Sequence, residues 1–153
     1  MQRAIVSFYQ DEEDHWVARL SCHHPQHVRH DPPLVSRPWV LSEQGRRARI
    51  GELLRCKRCE QAEWPEGLVA YKSTPSFGYE TTPKGLRKDH ATREGVWAQI
   101  HVTQGALLYV VGERAERLVP QEDPGVIVPA QLHHVVPEEG VEFFVQFFRA
   151  KKA

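Results

Sequence analysis

The chain has 153 residues, 41% of them hydrophobic, and its 20 basic and 20 acidic side chains leave a formal net charge of zero. That length holds one ordinary domain or two small ones, and the low-normal apolar fraction argues against a single large core. Balanced charge argues against nucleic-acid binding as the role of the whole protein, and no apolar run is long enough to span a membrane.

The first ten residues, MQRAIVSFYQ, alternate and then turn acidic, so no secretory signal is read and the expected location is the cytoplasm. Alternation continues on both sides of the polar stretch Asp11–Asp14, which predicts a β-hairpin from Ala4–Tyr9 and Trp16–Ser21. The segment Cys22-His23-His24-Pro25-Gln26-His27-Val28-Arg29-His30 follows. Five of the nine histidines fall between His15 and His30, an enrichment that points to metal binding. Asp31-Pro32-Pro33 then stops any regular element. Ser42 can cap a short helix running to Ile50, with Arg46, Arg47 and Arg49 in its later turn. Cys56-Lys57-Arg58-Cys59 comes next, and Trp64-Pro65-Glu66-Gly67 breaks periodicity, which predicts modules over 1–64 and 65–153. From Leu68 onward, short apolar runs alternate with Gly and Pro: Val96–Val102, Ala106–Val111, Arg117–Val119, Val126–Val128, Leu132–Val136 and Val141–Phe148. Such spacing predicts a β-sandwich or closed barrel, so the chain as a whole reads as mainly β.

Three cysteines make no disulfide framework, and a C-x-x-C pair in a reducing compartment reads as metal or redox chemistry. No βαβ pattern surrounds the pair, which disfavours the redox reading. Two thiolates from one tight turn fit two corners of a tetrahedron, and Cys22 with a nearby histidine completes a Cys3His set suited to structural zinc. His24 is the favoured fourth ligand over His27 and His30; His23 points elsewhere on extended backbone. A module this short has little core, so a metal that contributes folding energy has a physical purpose there. Three thiolates on zinc leave net negative charge, and Arg55, Lys57 and Arg58 flank the pair with the opposite sign. The basic stretch Arg46–Arg58 lacks interleaved aromatics and reads as a solvated face, not a nucleic-acid surface.

The second module offers His90 before the Val96–Val102 strand, hairpin Gly105, Pro129, His133-His134 and, in the last strand, Gln146 among phenylalanines. Gln99 and His101 share a parity opposite to Ala98, Ile100 and Val102 and are expected to face away from the interior. His90 and His133 are expected to converge on one pocket with Gln146 on its wall, binding a small-molecule ligand or a divalent metal (iron, nickel or zinc).

These residues carry two resemblances. Leu68 to Arg149 resembles the small bacterial cupin family related to the N-terminal domain of tellurite-resistance methyltransferases, through Gly85-Leu86-Arg87, His90, Gly95-Val96-Trp97, Gly105, Pro129, His133-His134 and Phe144 to Arg149. The family pattern tends to carry an acidic residue where Gln146 stands. Met1 to Trp64 resembles an uncharacterised bacterial zinc-ribbon-like family, through Cys22, His24, Gln26 to His30, Arg37-Pro38-Trp39, Cys56 and Cys59; that family usually has glycine where His23 stands. The resemblance implies a cupin (double-stranded β-helix) barrel behind a zinc-ribbon-like β module, and a role near tellurite, nitrosative or oxidative stress. No Gly-rich strand-to-helix turn for S-adenosylmethionine is present in the sequence. Three functions compete: a metal-binding stress protein with a small-ligand pocket, a metal-dependent cupin enzyme acting on a small oxidised substrate, and an adaptor docking through the basic module. A homodimer is compatible with any of them.

Overall fold

The computed structural model describes residues 1–151, which fold as two compact units, Met1–Glu66 and the chain from Gly67 onward. Each is described by itself.

The first unit is built on the alternating N-terminal segments. Strands β1 (Gln2–Gln10) and β2 (Trp16–Leu20) pair antiparallel, with Phe8 opposite Ala18 and Tyr9 opposite Val17. The turn closes because the Asp11 carboxylate accepts the backbone N–H groups of Glu13 and His15, both at 2.9 Å. Two short strands that alternation did not reveal extend the sheet, β3 (Pro25–His27) and β4 (Leu53–Arg55), giving the order β3-β2-β1-β4. With three residues each, they are too short to display a period. Helix α1 (Glu43–Arg49) begins as expected at Ser42, whose hydroxyl accepts the Gly45 N–H at 3.0 Å. Two of its three arginines lie on aromatic faces, Arg46 over Trp16 at 3.8 Å and Arg49 over Trp39 at 4.7 Å, while Trp39 meets Phe8 edge-on. Ile5, Val17, Leu20, Val28 and Val40 are buried.

The second unit is antiparallel throughout. One sheet runs β10 (Gly125–Ile127), β7 (Trp97–Gln104), β12 (Glu142–Ala150) and β5 (Leu68–Ser73), with β6 (Phe77–Gly78) also on β12. The other runs β11 (His134–Pro137), β8 (Leu107–Val111) and β9 (Arg114–Leu118). Both sheets send side chains into one core, Ala98, Ile100, Ile127, Phe143 and Val145 from the first and Leu107, Tyr109, Leu118 and Val135 from the second. Gly105 reverses the chain between β7 and β8 at φ +71°, and a Cβ there would sit 2.8 Å from the Gly140 carbonyl oxygen. Only glycine satisfies both demands without strain. The unit is therefore mainly β, as its punctuated strand pattern implies.

Candidate functional site: a cysteine–histidine cluster and a histidine-lined cavity

Cys22 and His24 leave the end of β2 in a tight turn. The His23 N–H donates to the Leu20 carbonyl at 2.8 Å, and the Leu20 N–H donates to the His24 carbonyl at 3.0 Å. This geometry puts His23 at φ +72°, in the left-handed region that glycine enters most easily, and its side chain away from the cluster. The other two cysteines come from the one-turn helix α2 (Lys57–Glu60): Cys56 precedes it and Cys59 lies inside it. The Cys56 N–H donates to the Met1 carbonyl at 2.7 Å, tying the C-x-x-C turn to the start of β1.

Together Cys22, His24, Cys56 and Cys59 form a buried group whose ligand atoms all lie within 4.8 Å of one another. Cys22 Sγ is 3.8 Å from Cys56 Sγ, and His24 Nδ1 is 3.4 Å from the sulfurs of both Cys56 and Cys59. A tetrahedral ion with bonds of about 2.3 Å to sulfur and about 2.0 Å to nitrogen needs sulfurs roughly 3.8 Å apart and sulfur–nitrogen spacings of roughly 3.5 Å. Three of the six donor pairs stand at those spacings, and all six lie within 4.8 Å. The far nitrogen of His24, Nε2, lies 2.7 Å from the Glu63 carbonyl oxygen. As a donor to that carbonyl, it leaves Nδ1 with a lone pair toward the sulfurs, the arrangement a metal-bound imidazole adopts. The group could hold a metal ion such as zinc.

Three thiols crowded in a buried space cannot all ionise without a cation. The Cys22 thiol is pushed up, first by the hydrogen bond it shares with Cys59 and then by burial. The same bond pulls Cys59 down, helped by His24 and by the positive charge of Arg3. Arg3 is only 3% exposed, and sequence reading missed it as a charge partner. Arg55 and Arg58, expected in that role, are engaged with Glu60 and Glu63. A cation inside β1 gives no composition signal; alternation alone marks Arg3 as sharing a face with Ile5. The histidine alternatives are separated too. His27 is exposed and lies 3.2 Å from the Asp11 carboxylate, while His30 Nδ1 accepts the Arg37 N–H at 2.8 Å.

In the second unit, His90 and His133 are brought together. They face each other in an isolated antiparallel bridge, each donating its N–H to the other's carbonyl at 2.9 Å, with ring centroids 4.2 Å apart. Each Nδ1 lies against a carbonyl two residues back, His90 on Lys88 at 2.8 Å and His133 on Gln131 at 3.0 Å. Those contacts make Nδ1 the donor and leave a lone pair on each Nε2. Burial pulls the His133 pKa down, with the nearby His90 adding to the effect, which favours its neutral form. Both rings line a cavity of about 460 Å³ whose other walls include Leu86, Ile100, Val135, Phe143 and Phe147.

Gln146 does not line this cavity, which corrects the sequence-based assignment. On β12 it is Phe143 and Val145 that are buried in the core, while Phe144 and Gln146 are half-buried on the opposite face. Gln146 pairs with Gln99 and Phe144 with His101, so these four share one face of the sheet. Phe144 stacks on the His101 ring at 4.9 Å. Because β7 and β12 are paired, Gln99 and His101 cannot face outward while Gln146 faces in. Among the described residues no carboxylate lines the cavity, and the cysteine–histidine group is the one cluster of three or more metal-type ligands.

Two family models match the sequence. Residues 6–63 match a protein of unknown function (DUF3565), and residues 72–145 match a TehB-like domain. No curated protein matches. Among solved structures, the crystal structure of TehB from Haemophilus influenzae is similar at 21% identity and a TM-score of 0.53, over 56% of this chain and 32% of that one. A crystal structure of a protein from E. coli strain K12 is similar at 21% identity and a TM-score of 0.54, over 58% of this chain and 97% of that one. The likeness is one of fold, and this chain spans about a third of the TehB structure. No described helix is long and apolar enough to cross a membrane.

Proposed function

We propose that this is a cytoplasmic metal-binding protein of tellurite or oxidative-stress responses, with a zinc-stabilised N-terminal module and a cupin-type barrel that receives a small ligand. The observation that carries the metal reading is the spacing of the four donors, 3.8 Å between Cys22 and Cys56 sulfurs and 3.4 Å from His24 to those of Cys56 and Cys59. A mixed sulfur–imidazole set of four protein ligands suits a closed structural zinc site and leaves no position for substrate. Three buried cysteines, an odd number that makes no disulfide framework, accord with a reducing compartment. The stress association rests on the resemblance to TehB-like domains.

For the barrel, the ligand-receptor reading outranks the enzyme. The two lone-pair Nε2 atoms favour a metal-dependent cupin enzyme as the second reading, and iron, nickel or zinc could take them. A non-haem iron site, however, calls for a carboxylate beside two histidines, and the described cavity wall offers none. The adaptor reading is weakened by the ion pairs that engage four of the six cations of the basic stretch: Arg47 with Glu43, Arg49 with Glu52, Arg55 with Glu60 and Arg58 with Glu63.

Elemental analysis of the purified chain tests the first module, with one zinc per chain expected and a metal-free, folded module contradicting it. Isothermal titration of iron(II), nickel(II) and zinc(II) into zinc-loaded wild type and His133→Ala tests the barrel. Tight additional binding lost in the variant would move the assignment to the enzyme.

A further inference from the structure

The cavity beside His90 and His133 has a charge asymmetry that the metal and fold readings leave unused. Two of its lining side chains are cations, Lys72 and Arg93, and none of its described lining residues is an acid. They come from separate elements, Lys72 from β5 and Arg93 from the segment leading into β7. Lys72 is the cross-strand partner of Phe147, which also lines the cavity, so register directs both to the same side of the sheet. The remaining wall is mostly aliphatic and aromatic. A cationic rim over an apolar interior selects a ligand with one negative pole and an apolar body.

Size separates an organic anion from an inorganic one. A volume of about 460 Å³ corresponds to roughly fifteen water molecules at about 30 Å³ each. An inorganic oxyanion would displace only a few of these and leave Ile100, Val135 and Phe143 wet. An apolar acid of roughly ten non-hydrogen atoms would cover them and still reach the cations with its carboxylate. We infer that the second unit binds a small organic carboxylate, its apolar body against the β7, β11 and β12 core residues and its carboxylate at Lys72 and Arg93. This rests on the ligand-receptor reading of the barrel and narrows it to a chemical class.

The test is isothermal titration of the full chain with 3-phenylpropanoate, its neutral analogue 3-phenylpropanamide and inorganic phosphate, with methyl NMR of Val135 and Val145 to locate the bound probe. The carboxylate should bind at least about tenfold more tightly than the amide, the margin expected of charge-assisted hydrogen bonds. Lys72→Met with Arg93→Met should abolish that preference while leaving amide binding unchanged, a comparison that also shows the cavity is still folded. Phosphate should not compete. Equal binding of acid and amide, or phosphate binding as tightly as the acid, would overturn the anion assignment while leaving the receptor reading in place. If neither organic probe binds, or both bind without moving the two valine methyls, the receptor reading fails with it.

Discussion

Replacing Cys59 by serine removes one of four donors from a group in which Cys22 and His24 are 0%, Cys59 1% and Cys56 3% exposed. A hydroxyl is a poor zinc ligand at neutral pH, and the remaining thiols and imidazole would be left buried around a vacated centre. Apart from Ala18, the aliphatic side chains buried in the first unit are Ile5, Val17, Leu20, Val28 and Val40. At about 1.5–3 kcal/mol each they contribute roughly 8–15 kcal/mol. Structural zinc contributes an apparent ~10–16 kcal/mol in small zinc-dependent modules. A bound zinc would thus be worth as much as these five side chains together, against a net stability of only about 5–15 kcal/mol for an ordinary domain. Cys59→Ser should therefore lose the zinc and unfold the first unit, while the second, which holds a separate core, stays folded. Backbone NMR reads both at once. Amide dispersion should collapse for residues 1–66 and persist from Gly67 onward, and stripping wild type with a strong chelator should give the same spectrum. A metal-free variant with residues 1–66 still dispersed would refute the coupling of metal to fold.

Other consequences follow from single contacts. Gly105→Ala forces a side chain into φ +71° with its Cβ 2.8 Å from the Gly140 carbonyl oxygen, so it should destabilise the second unit by at least about 1 kcal/mol and lower its thermal midpoint by several degrees; an unchanged midpoint would show that the β7–β8 turn is not under that constraint. Gln146→Glu should leave ligand and metal titrations of the cavity unaltered, since Gln146 lies on the other face of β12; a tightened metal affinity would restore it to the pocket wall. Arg117 holds the Glu138 carboxylate in two hydrogen bonds, 2.9 and 3.2 Å, and keeps its pKa below the ordinary 4.5. A depressed folded-state pKa stabilises above 4.5 and loses that stabilisation as pH falls through the folded value, so the melting gap between wild type and Glu138→Gln should be present at pH 6 and close under acid; a gap constant with pH would contradict the pairing. The paired arginines of the first unit should give no tight, salt-sensitive binding to RNA or DNA at physiological salt, and such binding in a filter or anisotropy assay would revive the adaptor reading.

Features with a strong local cause were legible in the sequence. The β1–β2 hairpin was visible in its alternation, the start of α1 in the Ser42 cap, and the candidate donor set in the spacing of Cys56, Cys59 and the Cys22–His24 pair. The positive φ at His23 is one that glycine would adopt without strain. What escaped depended on partners distant in sequence. Strands β3 and β4 exist because β1 and β2 offer edges, not because three residues declare a period. Arg3 looks like an ordinary strand cation until β1 is seen to run beside the C-x-x-C turn. In β12 both parities carry phenylalanine, so alternation could not decide which face is inward; the pairing of Gln146 with Gln99 decides it.

X-ray absorption at the zinc edge on the intact purified chain tests the central claim most directly. The account predicts one zinc per chain with three sulfur neighbours at about 2.3 Å and one nitrogen at about 2.0 Å. A chain without zinc, or a first shell of nitrogen and oxygen alone, would contradict it.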